Sequence, residues 1–111
     1  MAFTYKTLGQ NRPADTNPAD IYTVPAGTQT IVSSVVICNV TNTAATFSVY
    51  QRVAASSAGE SNAIAFNQTI PAYSTTTIEA KLTMVATNIL TVQSGTSSAI
   101  TFTVNGTEIT A

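Results

Sequence analysis

Short segments rich in β-branched and aromatic residues follow one another along this chain, and turn residues separate them. From Ile21 onward such segments recur about every 8–12 residues, and none shows the 3.6-residue period of an amphipathic helix. Valine, isoleucine and threonine pack well on a pleated, half-buried surface. The pattern therefore predicts an all-β chain, folded as an antiparallel β-sandwich of immunoglobulin-like or jelly-roll-like type with about seven or eight strands.

The chain length allows one domain with a single core, since it has 111 residues. We predict an N-terminal strand and polar arm over residues 1–20, followed by one β-sandwich domain over residues 21–111. Within the first part, Ala2–Gln10 is typical of a strand, whereas Asn11–Asp20 is polar and contains two prolines that restrict the backbone. This extended arm is expected to lie over the body or over a neighbouring chain; the alternative is a flexible leader.

Alternating apolar residues predict which side of each strand faces the core. The residues predicted to face it are Phe47, Val49 and Val53; Ile64, Phe66 and Ile70; Ile78, Ala80 and Leu82; and Ile100, Phe102 and Val104. Threonines occupy much of the opposite faces. The dipeptide Asn105-Gly106 is frequent in two-residue hairpins, so a turn is predicted there before a last short strand, Thr107–Thr110.

One strand differs from the others because both of its faces are apolar. It runs from Ile31 to Val40 and overlaps the stretch Ser33–Tyr50, which contains no charged residue. Its two faces are predicted to consist of Ile31, Val35 and Ile37 on one side and Val32, Val36, Cys38 and Val40 on the other. An antiparallel strand of this kind needs a second cover, which the N-terminal arm, a loop or another subunit can provide.

These features predict an interface with another subunit or another protein. Prolines in the arm lower the entropy lost on binding, an arginine can bind a carboxylate through two hydrogen bonds, and a tyrosine can anchor a contact. The residues predicted for this interface are Arg12, Pro13, Pro18, Tyr22, Val35, Val36 and Ile37. Which face of the strand Ile31–Val40 meets the neighbour is left open.

The residues that usually carry catalysis are sparse. The sequence contains no histidine, the commonest general base and a usual zinc ligand. Cys38 lies in an apolar strand and is interpreted as a packing residue, and the five carboxylates are scattered. We therefore predict that the protein is not an enzyme and has no catalytic residue, no cofactor and no metal site.

Two further patterns are interpreted as structural. Asp15, Asn17 and Asp20 lack the ordered spacing and the glycine of a calcium loop, so a solvated turn is predicted. The run Asn39-Val-Thr41 matches a glycosylation acceptor, and in a threonine-rich chain such a match is expected by chance.

Charged residues make up 8% of the chain, against about 25% in typical soluble domains. With a net charge of −1 and no basic patch, nucleic-acid binding is not expected. No apolar run approaches the length of a membrane span and no secretory signal follows Met1, so synthesis in a cytoplasm and no membrane partner are expected. A surface this poor in charge is either covered by partners or rich in hydroxyl groups.

Several segments together resemble small β-sandwich virion structural proteins of tailed bacteriophages. They are an LGQ near the start, the arm NRPADTNPAD, the turn YTVPAGT, and the strand SSVVICN with its partner ATFSV. The second half continues the similarity in AIAFNQTIPAYSTTTIEAKLTM and in TFTVNGTEI. These motifs cover most of the chain and mark turns and strands.

The resemblance implies a subunit present in many copies in the virion, most readily a capsid decoration (cement) protein. Its partners would be the major capsid protein or another virion protein, and it would form a homo-oligomer, with a trimer favoured. A tail or baseplate accessory protein is the alternative, and a carbohydrate-binding adsorption module is a further one. The loop AASSAGESN has less charge and fewer aromatics than expected of a receptor-binding loop.

Overall fold

The computed structural model describes residues 2–53, 56–79 and 81–110. In these ranges the chain forms nine β-strands and a 3₁₀ turn at Glu60–Asn62. The strands are β1 (Ala2–Asn11), β2 (Ala19–Thr23), β3 (Thr28–Asn39), β4 (Ala45–Arg52), β5 (Ala63–Ile70), β6 (Thr75–Ile78), β7 (Leu82–Met84), β8 (Ile89–Ser94) and β9 (Ile100–Thr110). Their pairs are antiparallel. The predicted all-β class and sandwich architecture are confirmed.

The strand order identifies the sandwich as a jelly roll. The first sheet has the order β1-β9-β3-β6, with β7 also paired to β3, and the second has the order β2-β8-β4-β5. Because β6 and β7 pair with successive parts of β3, they act as two halves of one strand. The pairs β1–β9, β2–β8, β3–β6/β7 and β4–β5 are then nested, as in an eight-stranded jelly roll. In an immunoglobulin-like sandwich the first two strands are neighbours in one sheet, whereas here they lie in different sheets.

The core lies between the two sheets and takes side chains from both. Phe102 and Ile37 of the first sheet and Leu90 of the second are fully buried. The rings of Phe47 and Phe102 meet edge to face, with centroids 6.5 Å apart and an interplanar angle of 72°. Each large side chain buried in this way contributes about 1.5–3 kcal/mol. The predicted inward orientation of Ile100, Phe102 and Val104, and of Phe47 and Val49, is confirmed.

A bulge in β3 changes the predicted assignment of its faces. The pairing with β9 passes from Val32↔Gly106 to Ser34↔Asn105, so β3 has one residue more than its partner at this point. An extra residue reverses the alternation of side chains. As a result Val32 is buried on the core side together with Val35 and Ile37, and Ile31 is exposed. The prediction was wrong for Ile31 and Val32, and right that Val36 and Cys38 lie opposite Val35 and Ile37.

The predicted hairpin turn at Asn105-Gly106 is wrong, because both residues lie inside β9. Asn105 is opposite a bulge on each side, and its side chain is hydrogen-bonded to Thr7 of β1 at 3.2 Å and to Ser34 of β3 at 3.4 Å. A Cβ atom at position 106 would collide with the backbone oxygen of Ile31. Glycine is therefore required here for close approach of two strands and not for a turn.

Two predicted core residues of β5 face outward. Ile64 and Phe66 are 38% and 44% exposed, while Ile70 is buried as predicted. The pairing of β5 with β4 shifts register twice, and Asn67 has a positive φ of 48°. These irregularities break the alternation on which the prediction depended. Val53 follows the end of β4 and is also exposed, while Ala80 lies outside the described residues.

The N-terminal segment is part of the sandwich. β1 pairs with β9 from Ala2↔Thr110 to Asn11↔Phe102. The connection 12–18 then crosses to the other sheet, where β2 begins, and Pro13 within it is buried. The carbonyl oxygen of Pro13 accepts a hydrogen bond from the backbone of Ser98, and that of Thr16 accepts one from Gln93, both at 2.9 Å. The predicted division after Asp20 thus falls within β2, and the arm contacts its own chain.

Candidate interaction surface

Four of the residues predicted for an interface lie inside the subunit. Val35 and Ile37 are in the core with 1% and 0% exposure, and Tyr22 is 9% exposed. Pro13, within the connection between the sheets, is also buried. A partner in contact with the folded subunit would therefore meet the other three predicted residues, Arg12, Pro18 and Val36.

Those three residues belong to two parts of the fold, the connection 12–18 and β3. Arg12 and Pro18 are exposed at the two ends of the connection 12–18. Val36 is half-buried on the outer face of the first sheet, between Thr77 of β6 and Thr103 of β9. Only Val36 lies in a strand, so the three residues do not form a row of paired strand positions.

A different group of apolar side chains does form a contiguous surface. Phe3 of β1 is directly opposite Ile109 of β9. Two residues farther along the strands, Tyr5, Thr107 and Ile31 form the next row on the same face. Residues opposite one another in antiparallel strands share a face, and so do alternate residues along a strand. We call the set Phe3, Tyr5, Ile31 and Ile109 the β1 patch.

The β1 patch is open to solvent and free of charge. Phe3 is 58% exposed, Tyr5 82% and Ile31 38%. The neighbouring positions on this outer face, Gln29, Thr83 and Thr107, carry amide and hydroxyl groups. An exposed apolar patch with an uncharged polar border is typical of a surface that another molecule covers. No charge would have to be desolvated when that happens.

A polar network on the opposite side of the same strands fixes β1 to both sheets. Glu108 of β9 accepts a hydrogen bond from the Tyr22 hydroxyl at 2.6 Å and forms an ion pair with Lys6 of β1 at 2.9 Å. The Tyr22 oxygen is also 2.8 Å from the hydroxyl of Thr30. Tyr22 belongs to β2, so this network ties the second sheet to the strands that carry the β1 patch.

The network shifts the ionisation of two of its members. Burial, and then the neighbouring Glu108, raise the pKa of Tyr22 to about 12. The hydrogen bond from Tyr22, and then the one from Lys6, lower the pKa of Glu108 from its ordinary value. The stabilising contribution of Glu108 is therefore present above its ordinary pKa and is lost when the pH falls through the lowered value.

The raised pKa of Tyr22 predicts a loss of stability in strong alkali. The unfolded chain releases the phenol proton near pH 10.0, whereas the folded chain holds it until about pH 12. The free energy of unfolding should therefore fall between these pH values, by up to roughly 3 kcal/mol at about 1.36 kcal/mol per pKa unit. Urea unfolding at several alkaline pH values measures this slope, which Tyr22→Phe should reduce. The matched control Tyr73→Phe changes an exposed tyrosine, and an equal reduction there would contradict the prediction.

The other acidic side chains with observed contacts have structural partners. Asp20 is bound by Arg52 at 2.8 Å and by the Thr91 hydroxyl at 2.9 Å, on the outer face of the second sheet. Asp15 accepts a hydrogen bond from the backbone of Asn17, as in the predicted turn. Among the residues that the structure describes, no group of three or more His, Cys, Asp or Glu side chains is placed to hold a metal ion.

The sequence contained a signal for half of the β1 patch. Phe3 and Tyr5 alternate with Thr4 and Lys6, and this period of two places both aromatics on one face of a strand. Ile31 could not be assigned to the same surface, because its orientation depends on the bulge in β3.

Comparison with known proteins adds no family to this geometry. Neither the scan against protein-family models nor the search of curated proteins finds a match. In the described part of the chain, no helix has the length and apolar character needed to cross a membrane.

Proposed function

We propose that this chain is a non-enzymatic structural protein of a bacteriophage virion, and specifically a capsid decoration (cement) protein that stabilises the head lattice through subunit contacts. The resemblance of its turns and strands to such proteins supports the proposal. The single structural observation that carries it is the β1 patch, an apolar, uncharged and open surface whose strands are joined to the second sheet by the polar network on their other side.

The mechanism of such a protein needs a contact surface and no reacting group. A protein that binds the assembled lattice and not its separated subunits stabilises the lattice by mass action. At a free concentration of about one hundred times Kd, this amounts to about 2.7 kcal/mol for each occupied site. Burial of Phe3 and Tyr5 against a lattice subunit would supply part of the binding free energy, since their large exposed areas are apolar or aromatic.

Copy number in the particle tests the proposal. Quantitative mass spectrometry of purified virions should find this chain in proportion to the major capsid protein. Particles made without it should release their genome at a lower temperature, and addition of the purified chain should restore the temperature. The variant Phe3→Ala/Tyr5→Ala should bind these particles more weakly, while the control Val53→Ala/Tyr73→Ala, which also removes two exposed side chains, should bind as the unaltered chain does.

Two outcomes would overturn the capsid assignment. A copy number that matches tail proteins in place of capsid proteins would make the chain a tail or baseplate accessory protein. Absence from particles together with binding to glycans of the host surface would make it an adsorption module. The fold does not decide between these roles, because jelly rolls occur in both capsid and lectin domains.

A further inference from the structure

The free edge of β1 is the most regular sheet edge in the described structure. Its pairing with β9 is unbroken from Ala2↔Thr110 to Thr7↔Asn105, and every side chain from Ala2 to Thr7 is exposed. β2 approaches β1 closely farther along, at Gly9, where a Cβ atom would collide with the backbone oxygen of Ile21. The first six residues of β1 therefore present backbone N–H and C=O groups along an accessible edge.

The other sheet edges carry features that hinder pairing with a further strand. β2 has a bulge between Asp20 and Tyr22. β5 has two register shifts and a residue with positive φ, Asn67. β6 and β7 form an edge of two short pieces of four and three residues. Bulges, short edge strands and charges are the usual protections against edge-to-edge association. The segment 2–7 of β1 has neither bulge nor proline, and its one charge, Lys6, is already paired with Glu108.

We propose that this edge pairs with the same edge of a second copy of the chain, antiparallel and about a two-fold axis at Thr4. In this register Phe3 of each copy lies opposite Tyr5 of the partner subunit, on the face that carries the β1 patch. Lys6 lies opposite Ala2 of the partner subunit, so no like charges meet. Aromatic pairs at directly opposite positions stabilise antiparallel strands, and a two-fold contact of one surface with itself closes at a dimer.

Neighbouring registers are less complementary. An axis at Tyr5 places Phe3 opposite Thr7 of the partner subunit and brings the bulge after Thr7 close to the paired region. An axis at Lys6 places the two Lys6 side chains opposite each other, which is destabilising. With the axis at Thr4, both Phe3 and Tyr5 of each copy lie opposite an aromatic residue of the other copy. The paired region then stays within the segment 2–7, which has no bulge.

The size of the contact predicts its strength. Six residues of strand extend over about 20 Å, and such an edge covers far less than the roughly 800 Å² per partner of a standard interface. The dimer should therefore be weak and reversible in solution and should form at high protein concentration. The dimer would join the first sheet of one copy to the first sheet of the other in one continuous sheet, with the aromatic pairs at its centre. The inference concerns the chain alone and does not depend on the proposed place in a virion.

Charge exchange at the two aromatic positions tests the pairing. Phe3 and Tyr5 are exposed, so both Phe3→Lys/Tyr5→Lys and Phe3→Glu/Tyr5→Glu should fold. In analytical ultracentrifugation the unaltered chain should dimerise with rising concentration, and each variant alone should dimerise at least about tenfold more weakly. An equimolar mixture of the two variants should dimerise again, because opposite charges then face each other. The control Val53→Lys/Tyr73→Lys makes the same charge change at exposed positions outside β1 and should dimerise as the unaltered chain does.

A cross-link tests the register. In a Cys38→Ser background, Thr4→Cys should give a disulfide-linked dimer under mild oxidation, because directly opposite residues of antiparallel strands have Cα atoms within disulfide range. Thr7→Cys should cross-link much more slowly. A chain that stays monomeric at all concentrations, a trimer, a mixture that does not recover dimers, or equal cross-linking at both positions would each overturn the inference. None of these results would bear on copy number in the particle, so the proposed function is tested separately.

Discussion

An Ile37→Asp substitution is expected to leave the chain unfolded. Ile37 is fully buried between the sheets, two residues before the end of β3, where it pairs with Phe102 of β9 and Thr76 of β6. Loss of a large buried aliphatic side chain costs about 2–5 kcal/mol, and an unpaired buried carboxylate costs several kcal/mol more. The sum approaches the total stability of a typical domain, about 5–15 kcal/mol. Circular dichroism during a urea titration should show no cooperative transition.

The matched control is the neighbouring residue on the same strand. Val36 is half-buried on the outer face, between threonines of β6 and β9, so an aspartate there reaches water. Val36→Asp should cost about 1 kcal/mol, chiefly from the poor strand propensity of aspartate, and the protein should unfold cooperatively. If Val36→Asp proves as damaging as Ile37→Asp, the outer face of β3 is buried and its assignment here is incorrect.

The same pair of residues shows how far the sequence determines the fold. Alternation at Val35, Val36 and Ile37 predicts two opposite faces correctly, because no irregularity interrupts the strand there. Four positions earlier the same rule fails at Ile31 and Val32, because the bulge lies between. A bulge is stabilised by tertiary contacts, such as the hydrogen bond of 3.1 Å from Ser33 to the backbone of Asn105, and these contacts join residues far apart in the sequence.

The predicted turn at Asn105-Gly106 failed for a related reason. The dipeptide has the composition of a hairpin turn, yet in β9 the asparagine bridges two neighbouring strands and the glycine allows one of them to approach. Local composition cannot distinguish a glycine that a turn requires for its positive φ from a glycine that is required because a neighbouring strand leaves no room for a Cβ atom. Only the nested order of the strands, which places β9 between β1 and β3, gives this residue two close neighbours.

The candidate surface was predictable in kind and only partly in place. Low charge predicted a surface that is either covered by partners or rich in hydroxyl groups, and the structure shows an open apolar patch with a border of hydroxyl and amide groups. Its location on β1 was not predicted, because Phe3 and Tyr5 alternate in the same way whether their face lies on the core or in solvent. The choice depends on where the second sheet ends, and the network of Lys6, Glu108 and Tyr22 closes the sandwich on the other side of the strand.

The second large effect is expected at Asn39, at the end of β3, whose side chain is fully buried. Its amide nitrogen donates to the carbonyl oxygens of Thr43, Ile70 and Pro71 at 2.8, 3.2 and 3.2 Å. Its Oδ1 atom accepts from the backbone N–H and the hydroxyl of Thr41 at 3.0 and 2.7 Å. One side chain thereby joins the turn after β3 to the turn after β5. A glycan on this nitrogen is incompatible with these contacts, in agreement with the interpretation of Asn39-Val-Thr41 as a chance match.

Asn39→Ala should lower the free energy of unfolding by about 3–5 kcal/mol, because buried polar groups left without partners cost about 1–3 kcal/mol each. Urea unfolding measures the change, and Asn42→Ala, an exposed asparagine in the adjacent turn, should cost less than about 0.5 kcal/mol. Similar losses in the two variants would show that the side chain of Asn39 does not hold the turns together. Asn39→Asp separates the hydrogen-bonding role of the side chain from its packing role. The aspartate keeps the size and the accepting oxygen, but it places a second oxygen where the amide nitrogen faced three carbonyl oxygens. It should therefore destabilise the protein at least as much as Asn39→Ala, whereas a packing role alone would make it the milder change.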